Sequence, residues 1–153
     1  MAIRRETLDD ILIRKGADPG RLRDARTHAE RAGLDLITGI TRTEAVDEAI
    51  LVQSLAEITG LPVLETIDIE AVDTDLVRRL PLGLARDQGI LPLWERDGMV
   101  EVGIASPATV SSLDDLRVLF GMSVRPLLVA PGHLRDATNA AFDKASRTAS
   151  AVI

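Results

Sequence analysis

The sequence predicts an α+β chain, with an all-helical N-terminal part packed on a small α/β part, and three observations carry that prediction. Gly16, Gly33 and Gly60 stop successive stretches of helical periodicity in the first half. Beyond Pro62 the period changes: Val100, Val102 and Ile104 alternate with Met99, Glu101 and Gly103, as in a half-buried strand. Asp97-Gly98 between two apolar runs signals a β-hairpin. The boundaries that follow are 1–61 for the helical part and 62–145 for the α/β part, read as β-hairpin, helix, strand, helix. Residues 146–153 read as a tail or linker. No stretch between the two main parts is long enough to be a flexible tether, so they are expected to form a rigid pair.

Taken in order, Thr7 caps a short first helix, with Asp10 in a capping-box relation, Leu8, Ile11 and Leu12 as its apolar stripe and Gly16 as its stop. Asp18 and Pro19 restart a helix as N-cap and N1. That helix is polar from Arg21 to Arg31, burying mainly Leu22, Ala25 and Ala29. Leu34 to Ile40, interrupted by Gly39, reads as a short apolar turn. Thr43 is the expected cap of the strongest helix, Glu44 to Thr59. Its Val46, Ala49, Ile50, Leu51, Val52, Leu55 and Ile58 cover a wide arc, which predicts the buried centre of this half. Val63 to Ile67 follows as a strand or extended connector. Asp73 caps a helix with Leu76, Val77 and Leu80, which Pro81 interrupts, and a further turn runs from Leu84 to Gly89. Ile90 to Trp94 and Met99 to Ala105 form the hairpin, with Pro92 placing the first strand at an edge or a bulge. Ser111 or Ser112 caps a helix that ends at Phe120-Gly121. Ser123 to Ala130 is a third strand, and Pro131-Gly132 opens a last helix ending near Ala145.

Composition excludes several chemistries. The chain has 153 residues and 46% hydrophobic content, normal for a globular protein. No apolar run approaches the ~20 residues that span a bilayer, and the N-terminus lacks the apolar core of a secretory signal. A cytoplasmic protein without direct membrane insertion is expected. Zero cysteines remove disulfides, thiol nucleophiles and Cys-bound metals. A net charge of −6 and 2% aromatic content argue against nucleic-acid binding. Lys15 follows Arg14 and Lys144 follows Asp143, so neither can be the lysine of a Gly-Lys-Ser/Thr phosphate loop. His28 and His133 stand without further ligands at helical spacing and read as surface residues, not metal ligands. Asp114-Asp115 reads as the acidic first turn of a helix. No catalytic, cofactor-binding or metal-binding residues are identified.

A resemblance covers about residues 7 to 145. Leu80-Pro81-x-x-Leu84-Ala85-Arg86-x-x-Gly89-Ile90-Leu91-Pro92-Leu93 precedes Asp97-Gly98-Met99-Val100-x-Val102-x-Ile104-Ala105-Ser106-Pro107. Leu113-Asp114-Asp115-Leu116-Arg117, Gly121-x-x-Val124-x-Pro126 and Leu128-Val129-Ala130-Pro131 follow, and Gly60-Leu61-Pro62 sits after the long helix. By order and spacing this resembles the N-terminal, MshE-N-like domain of the type II secretion and type IV pilus assembly ATPases, the GspE/PilB family. The resemblance implies a docking and regulatory module that precedes a hexameric ATPase core. It would contact the cytoplasmic part of an inner-membrane platform protein and so be recruited to that membrane through a partner. A stand-alone adaptor of the same fold is an alternative.

A branch of that family binds cyclic di-GMP through two motifs resembling Arg-Leu-Gly-x-x-Leu-x-x-x-Gly, which makes a second-messenger sensor the other alternative. Here the first copy falls on Thr7-Leu8-Asp9-x-x-Leu12-x-x-x-Gly16. Leu8, Leu12 and Gly16 match, whereas Thr7 replaces arginine and Asp9 replaces glycine. Aspartate there brings negative charge where a phosphate would approach. The second copy, Leu36 to Glu44, keeps Leu36 and an apolar Ile40 but has Ile37 and Glu44 at its glycine positions. The degenerate motifs predict no cyclic di-GMP binding, with Arg4, Arg5 and Arg14 left as solvated cations. For partner docking the candidates are Arg4, Arg5, Leu8, Ile11 and Leu12 on and before the first helix, with packing of Leu8, Ile11 and Leu12 on the helix at 44 to 59 as the favoured alternative, and then any exposed apolar residues of Leu34 to Ile40.

Overall fold

The computed structural model describes residues 6–151. Among them are eight α-helices and one three-stranded sheet, an α+β architecture. The chain divides after Gly60 into two compact units.

In the first unit every helix opens on a side-chain acceptor, because the first N–H groups of a helix have no partner within it. For α1 (Leu8–Arg14), Asp10 N–H donates to Thr7 Oγ1 at 3.2 Å and Thr7 N–H to Asp10 Oδ2 at 3.0 Å, the expected capping box. α2 (Pro19–Ala32) opens at Asp18, whose Oδ1 accepts from Gly20 N–H at 2.8 Å, and closes at Gly33. α3 (Leu36–Thr43) opens at Asp35 and α4 (Glu48–Thr59) at Asp47.

The last two helices correct the sequence reading. Thr43 caps nothing: it is the final residue of α3, and its hydroxyl donates back to the Gly39 carbonyl at 2.8 Å. The supposed turn from Leu34 to Ile40 is mostly helix. Gly39 misled because a glycine inside a short apolar run reads as a breaker, whereas here it serves packing. A Cβ on it would stand 2.7 Å from Ala29 Cβ and 2.9 Å from the Ala25 carbonyl oxygen, so only glycine lets α3 lie this close to α2. α4 starts after Val46 and buries one face, through Leu51, Val52, Ser54 and Leu55, while Ile58 remains exposed. It is therefore not buried over the wide arc that its composition suggested.

In the second unit Pro62, Val63 and Leu64 run beside the end of the sheet, with Val63 bridged to Leu128. A 3-10 turn (Ile69–Ala71) leads to α5 (Thr74–Arg79), capped by Asp73, and α6 (Leu82–Gln88), which starts after Pro81. β1 (Ile90–Arg96) and β2 (Met99–Ile104) are antiparallel, joined by Asp97 and Gly98, both at positive φ as a type I′ turn requires. Pro92 lies on this edge strand beside a register shift, so the edge and the bulge are both present. β3 (Ser123–Leu128) pairs in parallel with β2 and is the other edge.

β2 is not half-buried. Val100, Val102 and Ile104 fill one face, and Glu101 and Gly103 are buried on the other, where the last helix, α8 (Pro131–Ala151), covers the sheet. A Cβ on Gly103 would stand 3.2 Å from Leu134 Cδ1 and 3.3 Å from Val129 Cγ2. The core on this side joins Leu91, Leu93, Leu127 and Val129 to Leu134, Ala137, Ala141 and Ala145 of α8.

Between β2 and β3 a 3-10 turn (Pro107–Ser112) runs directly into α7 (Leu113–Phe120). Ser112 stands at the N-cap position of α7 as expected, but neither serine hydroxyl bonds the helix's backbone there. Their hydroxyls go to the Ala108 carbonyl and to Gln88 Oε1, and Ser106 caps the 3-10 turn instead. α8 also continues past Ala145, so residues 146–151 extend it rather than forming a tail. No glycine or proline interrupts it there. An Arg147–Asp143 ion pair and a Thr148 hydroxyl bond to the Lys144 carbonyl lie along it.

His133, expected at the surface, is half-buried, and its Nε2 accepts the Ile67 N–H at 2.9 Å. Lys144 Nζ donates to the Ile69 and Glu70 carbonyls at 3.1 and 3.2 Å. α8 thus ties down the connector through both ends of its packed face.

Two substitutions test this packing. Gly39→Ala should lower stability by about 1–3 kcal/mol, because the clash outweighs alanine's better helix propensity; a lowered urea midpoint with unchanged slope is the expected result. His133→Ala leaves the part-buried Ile67 N–H without its acceptor and should cost about 1–3 kcal/mol by the same measurement.

Candidate functional site

The motif-bearing segment at the start of the chain is occupied by its own structure. The Thr7 hydroxyl accepts from the α1 backbone, Leu8 is half-buried, and Leu12 is fully buried. Gly16 sits at φ 106°, a conformation that only glycine adopts without strain, so its match to the motif has a purely conformational cause. Asp9, the residue that stands at a glycine position, pairs with Arg26 of α2. Its carboxylate therefore holds two helices together instead of standing free.

The nearby cations are engaged in the same way. Arg14 donates from Nη2 to Glu57 Oε1 at 2.6 Å and from Nε to Glu6 Oε2 at 3.1 Å, and Lys15 Nζ lies 3.4 Å from Glu57 Oε2. The hydrogen bond to Glu57, then that to Glu6, holds the Arg14 guanidinium yet more firmly protonated. In return the Arg14 hydrogen bond pulls the Glu57 carboxyl below its usual range, against a smaller opposing effect of desolvation. These pairs join α1 to the last turn of α4. In the second motif copy Glu44 takes a left-handed φ of 52°, so the backbone keeps a glycine-like conformation without the glycine.

Of the residues expected to dock a partner, Ile11 and Leu12 are turned inward, 3% and 0% exposed, on the helix that packs against α4. Burial removes them from any docking surface; the exposed apolar residue of α1 is Ile13. Within Leu34 to Ile40 no large apolar residue is exposed. Arg4 and Arg5 lie outside the described residues. His28 is exposed on α2, in an open groove that Asp24, Thr27, Arg31 and Ala32 also line.

A polar cluster in the second unit escaped the sequence reading. Glu101 is 4% exposed and accepts from Trp94 Nε1–H at 2.8 Å, with Arg96 Nη1 at 3.5 Å and Arg125 Nη1 at 3.8 Å. The Arg96 guanidinium lies over the Trp94 ring, 5.5 Å from its centroid. Strand alternation alone assigns Glu101 to solvent, whereas in the folded chain it is enclosed beside Trp94, Arg96 and Arg125. Among the described residues no group of three His, Asp or Glu side chains is placed to hold a metal ion, and no helix is long and apolar enough to cross a membrane.

The MshEN domain model matches residues 59–148. The chain belongs to the MshEN domain family. Three curated relatives agree with that placement. The type IV pilus assembly ATPase PilB of Myxococcus xanthus is 23% identical over 131 residues, 85% of this chain. PilB of Pseudomonas aeruginosa is 27% identical over 124 residues, 80% of this chain. Type II secretion system protein E of Xanthomonas campestris is 27% identical over 128 residues, 82% of this chain. The MshEN chain spans only 23%, 21% and 22% of those three proteins. Among solved structures, the N-terminal domain of XpsE matches with a TM-score of 0.65 at 19% identity, covering 90% of this chain and 98% of that one. The structure of MshE with cdg matches with a TM-score of 0.62 at 22% identity, covering 88% of this chain and 98% of that one. The fold of these neighbours is shared.

The Glu57 pairing carries a pH signature. A depressed folded-state pKa stabilises above the unfolded value and is lost as pH falls through the folded one. The wild type should therefore lose stability on acidification from about pH 5 to about pH 3 more steeply than Glu57→Gln, measured as urea midpoints across that range.

Proposed function

We propose that this MshEN domain is a non-catalytic docking and regulatory module of a type II secretion or type IV pilus assembly motor. It would tether an ATPase core, where one is fused, to the cytoplasmic part of an inner-membrane platform protein. The observation that carries this reading is the family match together with a motif segment whose charges are already paired internally. A nucleotide sensor needs free arginines and bare backbone at the motif to take up phosphates. Here both charges are already paired: Asp9 with Arg26, and Arg14 with Glu6 and Glu57. The absence of a Gly-Lys-Ser/Thr loop from the sequence supports a role without ATP hydrolysis by these residues. The acidic balance supports protein rather than nucleic-acid partners. The site of action on this reading is the cytoplasmic face of the inner membrane, reached through the partner.

Calorimetry separates the two readings. Cyclic di-GMP titrated into the chain should give no heat of binding at micromolar concentrations, whereas the purified cytoplasmic domain of the platform protein should bind. Micromolar or tighter cyclic di-GMP binding would replace the docking reading with a sensor.

A further inference from the structure

The least expected surface of the molecule is α7. It buries Leu113, Leu116 and Phe120, and on its opposite side Val118 is 85% exposed, more than any other large apolar residue among those described. Leu119 beside it is 42% exposed. Residues three and four apart are neighbours on a helix surface, so Val118 lies one turn beyond both Asp114 and Asp115, and Leu119 one turn beyond Asp115. The two apolar side chains thus have both carboxylates on their N-terminal side.

Part of this pattern has a local cause. Acidic residues in the first turn complement the helix dipole, and Asp114 pairs with Arg117 at 3.0 Å. Neither fact accounts for an almost bare valine, nor for Asp115, which forms no ion pair among the described residues. Strand addition is disfavoured next to this helix. On the open side of β3, Leu128 is already bonded to Pro62 and Leu64, and Pro126, two residues earlier on that same side, has no N–H to offer. What remains is a helix face with exposed Val118 and Leu119, an Asp114–Arg117 pair beside them, and, one turn before, one carboxylate without an ion pair among the described residues, Asp115.

We propose that the Asp114–Asp115–Val118–Leu119 face of α7 is the docking surface, and that its occupant is a basic amphipathic helix of the partner. The complementary helix sets an apolar side chain against Val118 and Leu119, with lysine or arginine one turn away to meet the two aspartates. This inference rests on the docking reading and names its contact. A partner helix of that composition also matches the net charge of −6 on the whole chain.

The test is calorimetry of the full chain against the purified cytoplasmic domain of the platform protein at low and high salt, with sedimentation velocity of the chain alone. Val118→Asp should weaken binding about tenfold or more, and Val118→Thr, which keeps the shape, should weaken it less. Asp114→Asn with Asp115→Asn should flatten the salt dependence. At such exposure the Val118 variants should melt with the wild type, and the double Asn variant only slightly below it, so lost binding is not lost folding. If the wild type binds and Val118→Asp binds equally well, α7 is not the contact, although docking stands. If the wild type does not bind, the docking reading fails and this inference with it. If the chain alone self-associates and Val118→Asp abolishes that, the occupant is a second copy, and the basic-helix proposal is overturned.

Discussion

α2 and α3 meet where Gly39 faces Ala25 and Ala29, and β2 meets α8 where Gly103 faces Leu134 and Val129. Close approach through small residues is the constraint on which both units depend. With aromatics at only 2% of the sequence, the cores have few bulky side chains to fill wide gaps. Elements must then come together until backbone and small side chains touch, because interiors are stable only near crystalline packing density. Ala137, Ala141 and Ala145 continue the same device along α8. On the same sheet Glu101 is 4% exposed, and it needs Trp94 and the two arginines to satisfy its carboxylate.

The same closeness explains how the motif segment behaves. A binding site for an anionic ligand keeps cations and backbone N–H groups unpaired until the ligand arrives. Here Asp9 with Arg26, and Arg14 with Glu6 and Glu57, link α1 to its neighbours through side chains that a ligand site would hold in reserve. These pairs are half-exposed and individually weak. Their significance is that they occupy the groups and link the helices of this unit to one another. On the docking proposal, function falls to what remains unpartnered, and α7 exposes apolar Val118 and Leu119 beside Asp115.

How far the sequence could be read depended on whether a signal was local. The capping box at Thr7, the Asp18-Pro19 start, the Asp73 cap and the Asp97-Gly98 turn all act within four residues, and each reads directly from the chain. The order of hairpin, helix, strand and helix followed from them, and so did the family resemblance. Gly39 was misread because its role is to admit α2, a partner distant in sequence. Thr43 was misread because Asp47, three residues past Glu44, is the better-placed acceptor. At the candidate site, the losses of Arg and Gly from the motif and the packing of Ile11 and Leu12 on the long helix were legible, but the outward direction of Val118 was not.

By itself the sequence determined the class of fold, the points where helices start and turns form, and the absence of a phosphate loop. These are fixed by hydrogen-bonding and steric rules that reach only a few residues along the chain. Tertiary structure decided which face of each element is covered, that His133 holds Ile67 and Glu101 is enclosed, and that Val118 stays bare. Burial depends on what another part of the chain brings alongside, and periodicity does not specify that neighbour.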